Sequence, residues 1–136
     1  MNFITRTLEL SGSNAAIGKQ LVESGDGQLA SYMKTDRELN KADMDIIISL
    51  FERWCPGLND ELQGFADAAC IPAASVAYYA VTYLRPSCSQ IAISAQKSAN
   101  GHPILAHSYE YNHQHEAFTL ARTSVDGKYT YIGTCG

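Results

Sequence analysis

The chain has 136 residues and 14.8 kDa, with 46% apolar and 18% charged residues, which suits one domain with a real core and argues against disorder, collagen or a coiled coil. Its formal net charge is -4 and its ten Lys and Arg are scattered. No basic stripe exists to neutralise a phosphate backbone, so no nucleic-acid partner is expected.

In chain order, the first element is a short alternating strand, Phe3 to Leu10, followed by a Ser11-Gly12-Ser13-Asn14 turn that caps a helix reaching about Val22. A second helix follows Asp36. In it Met44, Ile47, Ile48, Phe51 and Trp54 recur at three- and four-residue steps as a core-facing stripe, ended by Cys55-Pro56-Gly57. Asn59 is read as the cap of a third helix carrying Leu62, Phe65, Ala66 and Ala69, and Pro72 suits the first turn of a fourth with Val76, Tyr79 and Val81. The longest largely apolar stretch, Ala73 to Leu84, is about half of a roughly 20-residue membrane span. The N-terminus has no signal-peptide h-region. A soluble, cytoplasmic protein with no membrane partner is expected.

At Arg85-Pro86-Ser87 the period changes from 3.6 to 2. Cys88 to Gln96 alternates as a strand, and Asn100-Gly101 is a strong hairpin signal before a second strand from Pro103. Phe118 to Val125, a turn at Asp126-Gly127, and Lys128 to Thr134 form a second hairpin. The expected fold class is α+β, a helical segment followed by antiparallel hairpins.

The four cysteines form no C-x-x-C pair and predict neither a zinc ribbon nor a disulfide framework. Cys55, Cys70 and Cys135 read as structural thiols. Cys88 differs, because it opens a strand directly after Pro86-Ser87, an exposed place for a nucleophile.

Four segments in fixed order carry a resemblance. Leu8 to Val22 holds a strand, a Gly and the Ile17-Gly18 pair; Glu61-Leu62-Gln63-Gly64-Phe65-Ala66-Asp67-Ala68-Ala69 has the form E-x-x-G-x-A; Ser87-Cys88-Ser89 stands where Gly-Cys-Thr or Gly-Cys-Ser is found; and Asn100 to Tyr111 has the form N-G-x-P followed by apolar residues, a basic residue, Tyr and an acid. Together they resemble the isopenicillin N acyltransferase family and the related choloylglycine hydrolases (linear amide C-N hydrolases) of the N-terminal-nucleophile superfamily. The resemblance implies a four-layer αββα sandwich, with residues 1–87 a helical prosegment and 88–136 the opening part of a catalytic domain. It also implies cleavage between Ser87 and Cys88. Cys88 would then serve as nucleophile and, through its freed α-amine, as base, toward a small-molecule amide.

Glu110 matches the acidic residue that holds the nucleophile's amino group in that family, and His107 matches an Arg beside it. Two departures stand out. Imidazole lacks the guanidinium fork, and Ser87 replaces Gly at the scissile bond. Tyr109 and Tyr111 are candidates to line the substrate site. No metal or cofactor is expected. The family's downstream G-R-x-D-G-M-N run, whose Asn contributes to the oxyanion hole, is not found in the 136 residues, so the expectation is a truncated, inactive catalytic domain.

Two other readings use the same residues. The stretch His107 to Glu116 holds three histidines and two carboxylates, and on a strand His107, His113 and His115 would share a face that could hold zinc or iron. A non-catalytic module could instead bind a partner through the open sheet edge after Lys128.

Overall fold

A computed structural model of the chain describes residues 6–24, 37–83, 89–108, 119–128 and 130–135. It is α+β, in chain order β1 (Arg6–Gly12), α1 (Asn14–Ser24), α2 (Lys41–Trp54), α3 (Leu58–Ala69), α4 (Ala73–Tyr83), β2 (Ser89–Ile93), β3 (Ile104–Ser108), β4 (Thr119–Val125) and β5 (Thr130–Cys135). The chain forms two compact units. One contains β1, the four helices, β4 and β5, and the other contains β2 and β3. Among the described residues no helix is long and apolar enough to cross a membrane.

Local chemistry explains most element ends. Ser13 caps α1, its Oγ accepting from the Ala16 amide at 3.2 Å. Asn40 caps α2 by accepting from the Asp43 amide at 2.9 Å while its own amide donates to the Asp43 carboxylate at 2.8 Å, so both groups of this cap are satisfied. The α3 cap is Gly57 at φ +97° rather than Asn59. Asn59 lies inside α3 and donates its side-chain amide to the Ile48 carbonyl at 3.0 Å, tying α3 to α2. The amides of Ser75 and Val76 donate to the Pro72 carbonyl, which starts α4 where the proline suggested.

The sheets depart from a single run of antiparallel hairpins. β2 and β3 pair antiparallel as a separate two-stranded ribbon, whereas the three-stranded sheet has the order β1-β4-β5, with β1 parallel to β4 and β5 antiparallel. Alternation within a strand fixes its faces but not its partner, so the β1–β4 pairing is invisible in the local pattern. β2 also stops at Ile93. Residues 95–97 form a 3-10 turn, and Gly101 at φ +71° belongs to a ten-residue connection, 94–103, rather than a two-residue hairpin turn.

The core explains the three-stranded sheet. α1 lies on one face of β1 and β4, where Ile17 packs with Leu10, Ala121 and Val125. Leu21 touches that cluster and a second one built by Phe65, Ala66 and Val76 of α3 and α4. Each of the buried large side chains contributes about 1.5–3 kcal/mol. Gln20 reinforces the β1–α1 turn by bonding both backbone groups of Ser11, at 3.1 and 2.6 Å.

α1 and α3 cross backbone against backbone. A Cβ on Gly18 would overlap the Glu61 carbonyl oxygen, and a Cβ on Gly64 would overlap the Ala15 carbonyl oxygen. Substitution must therefore push the helices apart and loosen both clusters. Gly18→Ala or Gly64→Ala should each lower the unfolding free energy by at least about 2 kcal/mol in urea denaturation. Gly133→Ala, with open space around its Cβ, should change it by no more than about 0.5 kcal/mol.

Candidate functional site

Ser87, Cys88, Tyr109, Glu110 and Tyr111 lie outside the described residues, as do His113 and His115. His107 lies in β3, in register with Gln90 of β2. Ser89, next after Cys88, is the register partner of Ser108, which precedes Tyr109 and Glu110. The two chain segments that lead to the candidate nucleophile and to its candidate carboxylate therefore leave the same end of one ribbon. In sequence, Cys88 is one residue from this paired position and Glu110 two.

One face of the ribbon is mainly apolar, and the other carries Leu105 together with the Gln90–His107 register pair. Ile91 and Ile104 belong to one face and Leu105 to the other, and Ile91 and Leu105 are 62% and 72% exposed. The three-stranded sheet is also asymmetric. α1 covers the face that carries Leu10, Ala121 and Val125, while the opposite face presents Leu120 and Ile132 to solvent beside the Glu9–Arg122 ion pair at 3.2 Å. Among the described strands β1 and β5 are the two edges of this sheet, and β5 is the one the partner-binding alternative uses.

Two of the segments that carry the family resemblance meet in space. Gly18 of α1 meets Glu61 and Phe65 of α3, and Gly64 of α3 meets Ala15 of α1, so the two glycines make the close approach. At the N-terminal end of this crossing, the Lys128 ammonium donates to Asn14 Oδ1 at 3.2 Å and to the Pro56 carbonyl at 2.7 Å. That one side chain joins the β4–β5 turn to the starts of α1 and α3. Nothing in the sequence marked it, because a lysine after an Asp-Gly turn is the pattern of a solvated surface residue. Burial raises the Glu61 carboxyl above its ordinary value, and a hydrogen bond from Asn14 and the charge of Lys128 offset only part of the shift.

A shallow cavity of about 240 Å³ lies between α2, α3 and α4, lined by Met44, Ile47, Phe51, Leu62, Ala73 and Ala77 among others. The core stripe expected on α2 is thus only partly buried. Phe51 is buried and Met44 and Ile47 are half-buried, but Ile48 and Trp54 are exposed. Trp54 stacks under the Arg53 guanidinium, 4.9 Å from the ring centroid.

Cys55 and Cys70 are exposed free thiols, not buried ones. Both sit at helix C-caps, where the chain turns away from the core, and Cys70 adopts φ +55°. The side chain of Cys135 is outside the described residues. Among the described residues no three His, Cys, Asp or Glu side chains gather in a group able to hold a metal ion. Comparison with protein-family models, curated proteins and solved structures finds no match.

The Glu61 shift has a sign that can be checked. Its carboxyl binds a proton more readily in the folded chain than in the unfolded one, so stability falls as pH rises from the unfolded-state value through the raised folded-state value. Above that window the buried charge is a constant cost. Glu61→Gln should remove this slope and be at least as stable as the wild type at neutral pH, as read by urea denaturation across pH 4 to 8.

Proposed function

We propose that the chain is a cysteine amidohydrolase or acyltransferase of the N-terminal-nucleophile type, acting on a linear amide C–N bond and activated by cleavage between Ser87 and Cys88. The observation that carries this reading is the Ser89–Ser108 register, which brings the segments adjoining Cys88 and Glu110 to one end of one ribbon. The α1–α3 crossing adds support, because it gives the Gly18 and Gly64 of two resembling segments a common physical purpose. An αββα sandwich also accounts for the surfaces. Its two sheets face each other and carry helices outside. A sheet with a helix on one face and exposed Leu120 and Ile132 on the other suits such a layer.

The proposed chemistry proceeds in two stages. The Cys88 thiol adds to the Ser87 carbonyl carbon, the C–N bond breaks as the C–S bond forms, and the Cys88 nitrogen takes up a proton as a free amine. Water then hydrolyses this thioester, leaving the Ser87 carboxylate and the Cys88 thiol. The new α-amine has an ordinary pKa of about 7.7–8.0, so near neutral pH part of it is unprotonated and accepts the thiol proton. In turnover the thiolate attacks a substrate amide, the amine leaving group departs with a proton, and an acyl thioester remains on sulfur. Water or a second amine takes the acyl group and restores the thiol.

The test is covalent. N-terminal sequencing and intact-mass measurement of the purified chain should find a new N-terminus at Cys88, and Cys88→Ala should abolish it. Because Cys55 and Cys70 are exposed thiols, alkylation alone does not identify the nucleophile, whereas cleavage that persists in a Cys55→Ala, Cys70→Ala variant does. A wild-type chain that stays whole overturns the proposal.

Cleavage should not separate the pieces. β1, before the cut, pairs with β4, after it, from Arg6–Thr119 to Gly12–Val125, and Ile17 and Lys128 cross the same boundary. Native mass spectrometry of cleaved protein should therefore find both pieces in one particle, which denaturant splits in two.

A further inference from the structure

α2 carries more apolar surface than the fold around it uses. Its inward face, Met44, Ile47 and Phe51, meets α3 and α4, yet Ile46, Leu50 and Trp54 are 58%, 45% and 69% exposed. At about 100° per residue, Asp43, Ile46, Leu50 and Arg53 fall on one stripe about 80° wide, spaced three, four and three residues apart as in a heptad seam, with Trp54 on its flank. Lys41, Asp45 and Glu52, the remaining charges of α2, lie on the far side. A helix that is apolar well beyond one face is ordinarily covered.

The order of residues along this stripe specifies the cover. It reads acid, apolar, apolar, base, and it is complementary to itself when run backwards. In an antiparallel pair of α2 helices centred on Ile48, Ile46 of each copy shares a layer with Leu50 of the other, and Asp43 of each with Arg53 of the other. A parallel pair would instead stack Asp43 on Asp43 and Arg53 on Arg53, a like-charge arrangement at both ends. Both charged groups are available. Arg53 forms no ion pair among the described residues and is held only over the Trp54 ring, and the Asn40 side chain occupies just one Asp43 carboxylate oxygen, Oδ2. The groups that would meet are thus the two ends of one stripe, and a two-fold axis satisfies both at once.

We infer that the exposed stripe of α2 is a self-association surface, whose partner is a second copy of this chain in an antiparallel, two-fold contact. A 14-residue helix is about 21 Å long, so the contact is at the small end of specific interfaces and the dimer is reversible. The inference is independent of the proposed reaction, since none of its residues belongs to the candidate site.

Sedimentation velocity over a micromolar to submillimolar concentration series tests it. The wild-type chain should pass from one copy to two, with a blue shift of Trp54 fluorescence over the same range. Leu50→Glu should weaken the dimer by at least about tenfold. Arg53→Asp or Asp43→Arg alone should also weaken it, and the two together should regain most of the loss, which a general hydrophobic contact would not do. Circular dichroism checks that α2 still forms, and if Leu50→Glu unfolds the chain the charge-swap series decides. A single-copy species at every concentration overturns the inference, as does a dimer indifferent to Leu50→Glu or a double swap no tighter than either single.

Discussion

The approach of α1 to α3 at Gly18 and Gly64 is the constraint on which the larger unit depends. α1 serves two surfaces at once. Ile17 is turned to the sheet, where it fills the space between Leu10, Ala121 and Val125, while Gly18, the next residue, is turned to α3 and lets the helices touch through their backbones. Leu21, one turn on, belongs to both clusters. Were α1 and α3 held at ordinary side-chain separation, Phe65 and Ala66 would withdraw from Leu21 and Val22, and the helices and the sheet would each lose their closest neighbour. The same crossing half-buries Glu61. A carboxylate there needs a counter-group, and Lys128 supplies it from a β-turn on the far side of the sequence.

This architecture constrains the proposed reaction in an unusual way. The switch from helical to alternating pattern at Pro86 suggests a prosegment that stops and a catalytic part that begins, yet β1 lies in the same sheet as β4 and β5. Residues 1–87 thus contribute an edge strand, a covering helix and the anchors for Lys128 to the elements that follow the proposed cut. A single peptide-bond cleavage would remove none of these contacts. It would change only what is local to it, a new amine and a new carboxylate, and that restriction is what a self-activating nucleophile needs, since the scaffold holding the site must survive the reaction that creates the site.

How much of this was legible in the sequence follows from the range of each interaction. The helices were legible because a cap, a stripe and a stop lie within a few residues of one another: Ser13 before α1, Pro72 before α4, Cys55-Pro56-Gly57 after α2. The partner of β1 was not, because nothing in Leu8 or Leu10 distinguishes β4 from β5 or β2. Exposure failed in the same way at Trp54, Cys55 and Cys70, where residue type favours burial but position at a helix end does not. For the site, the Cys88 and Glu110 motifs were readable as patterns, and register supplied the relation between the segments that adjoin them. Lys128 and Asn14 could not be found at all, since their bond joins residues 114 apart.

The His107 departure is where the proposed chemistry is most constrained. An arginine beside the nucleophile is positive at every pH at which the α-amine is neutral, so the two act together over a wide range. A histidine is not equivalent. An ordinary imidazole is cationic below about 6.5, whereas an ordinary α-amine is a base only near or above about 7.7, so the positive charge and the free base are seldom present on the same molecule. His107 stands in register with Gln90, and Gln90 is two residues from Cys88 in the chain, so what this replacement takes away from the proposed reaction is the permanent guanidinium charge. Formation of the acyl thioester and its hydrolysis both pass through an oxyanion, so in the proposed reaction both stages make the same demand on the hydrogen-bond donors around Cys88.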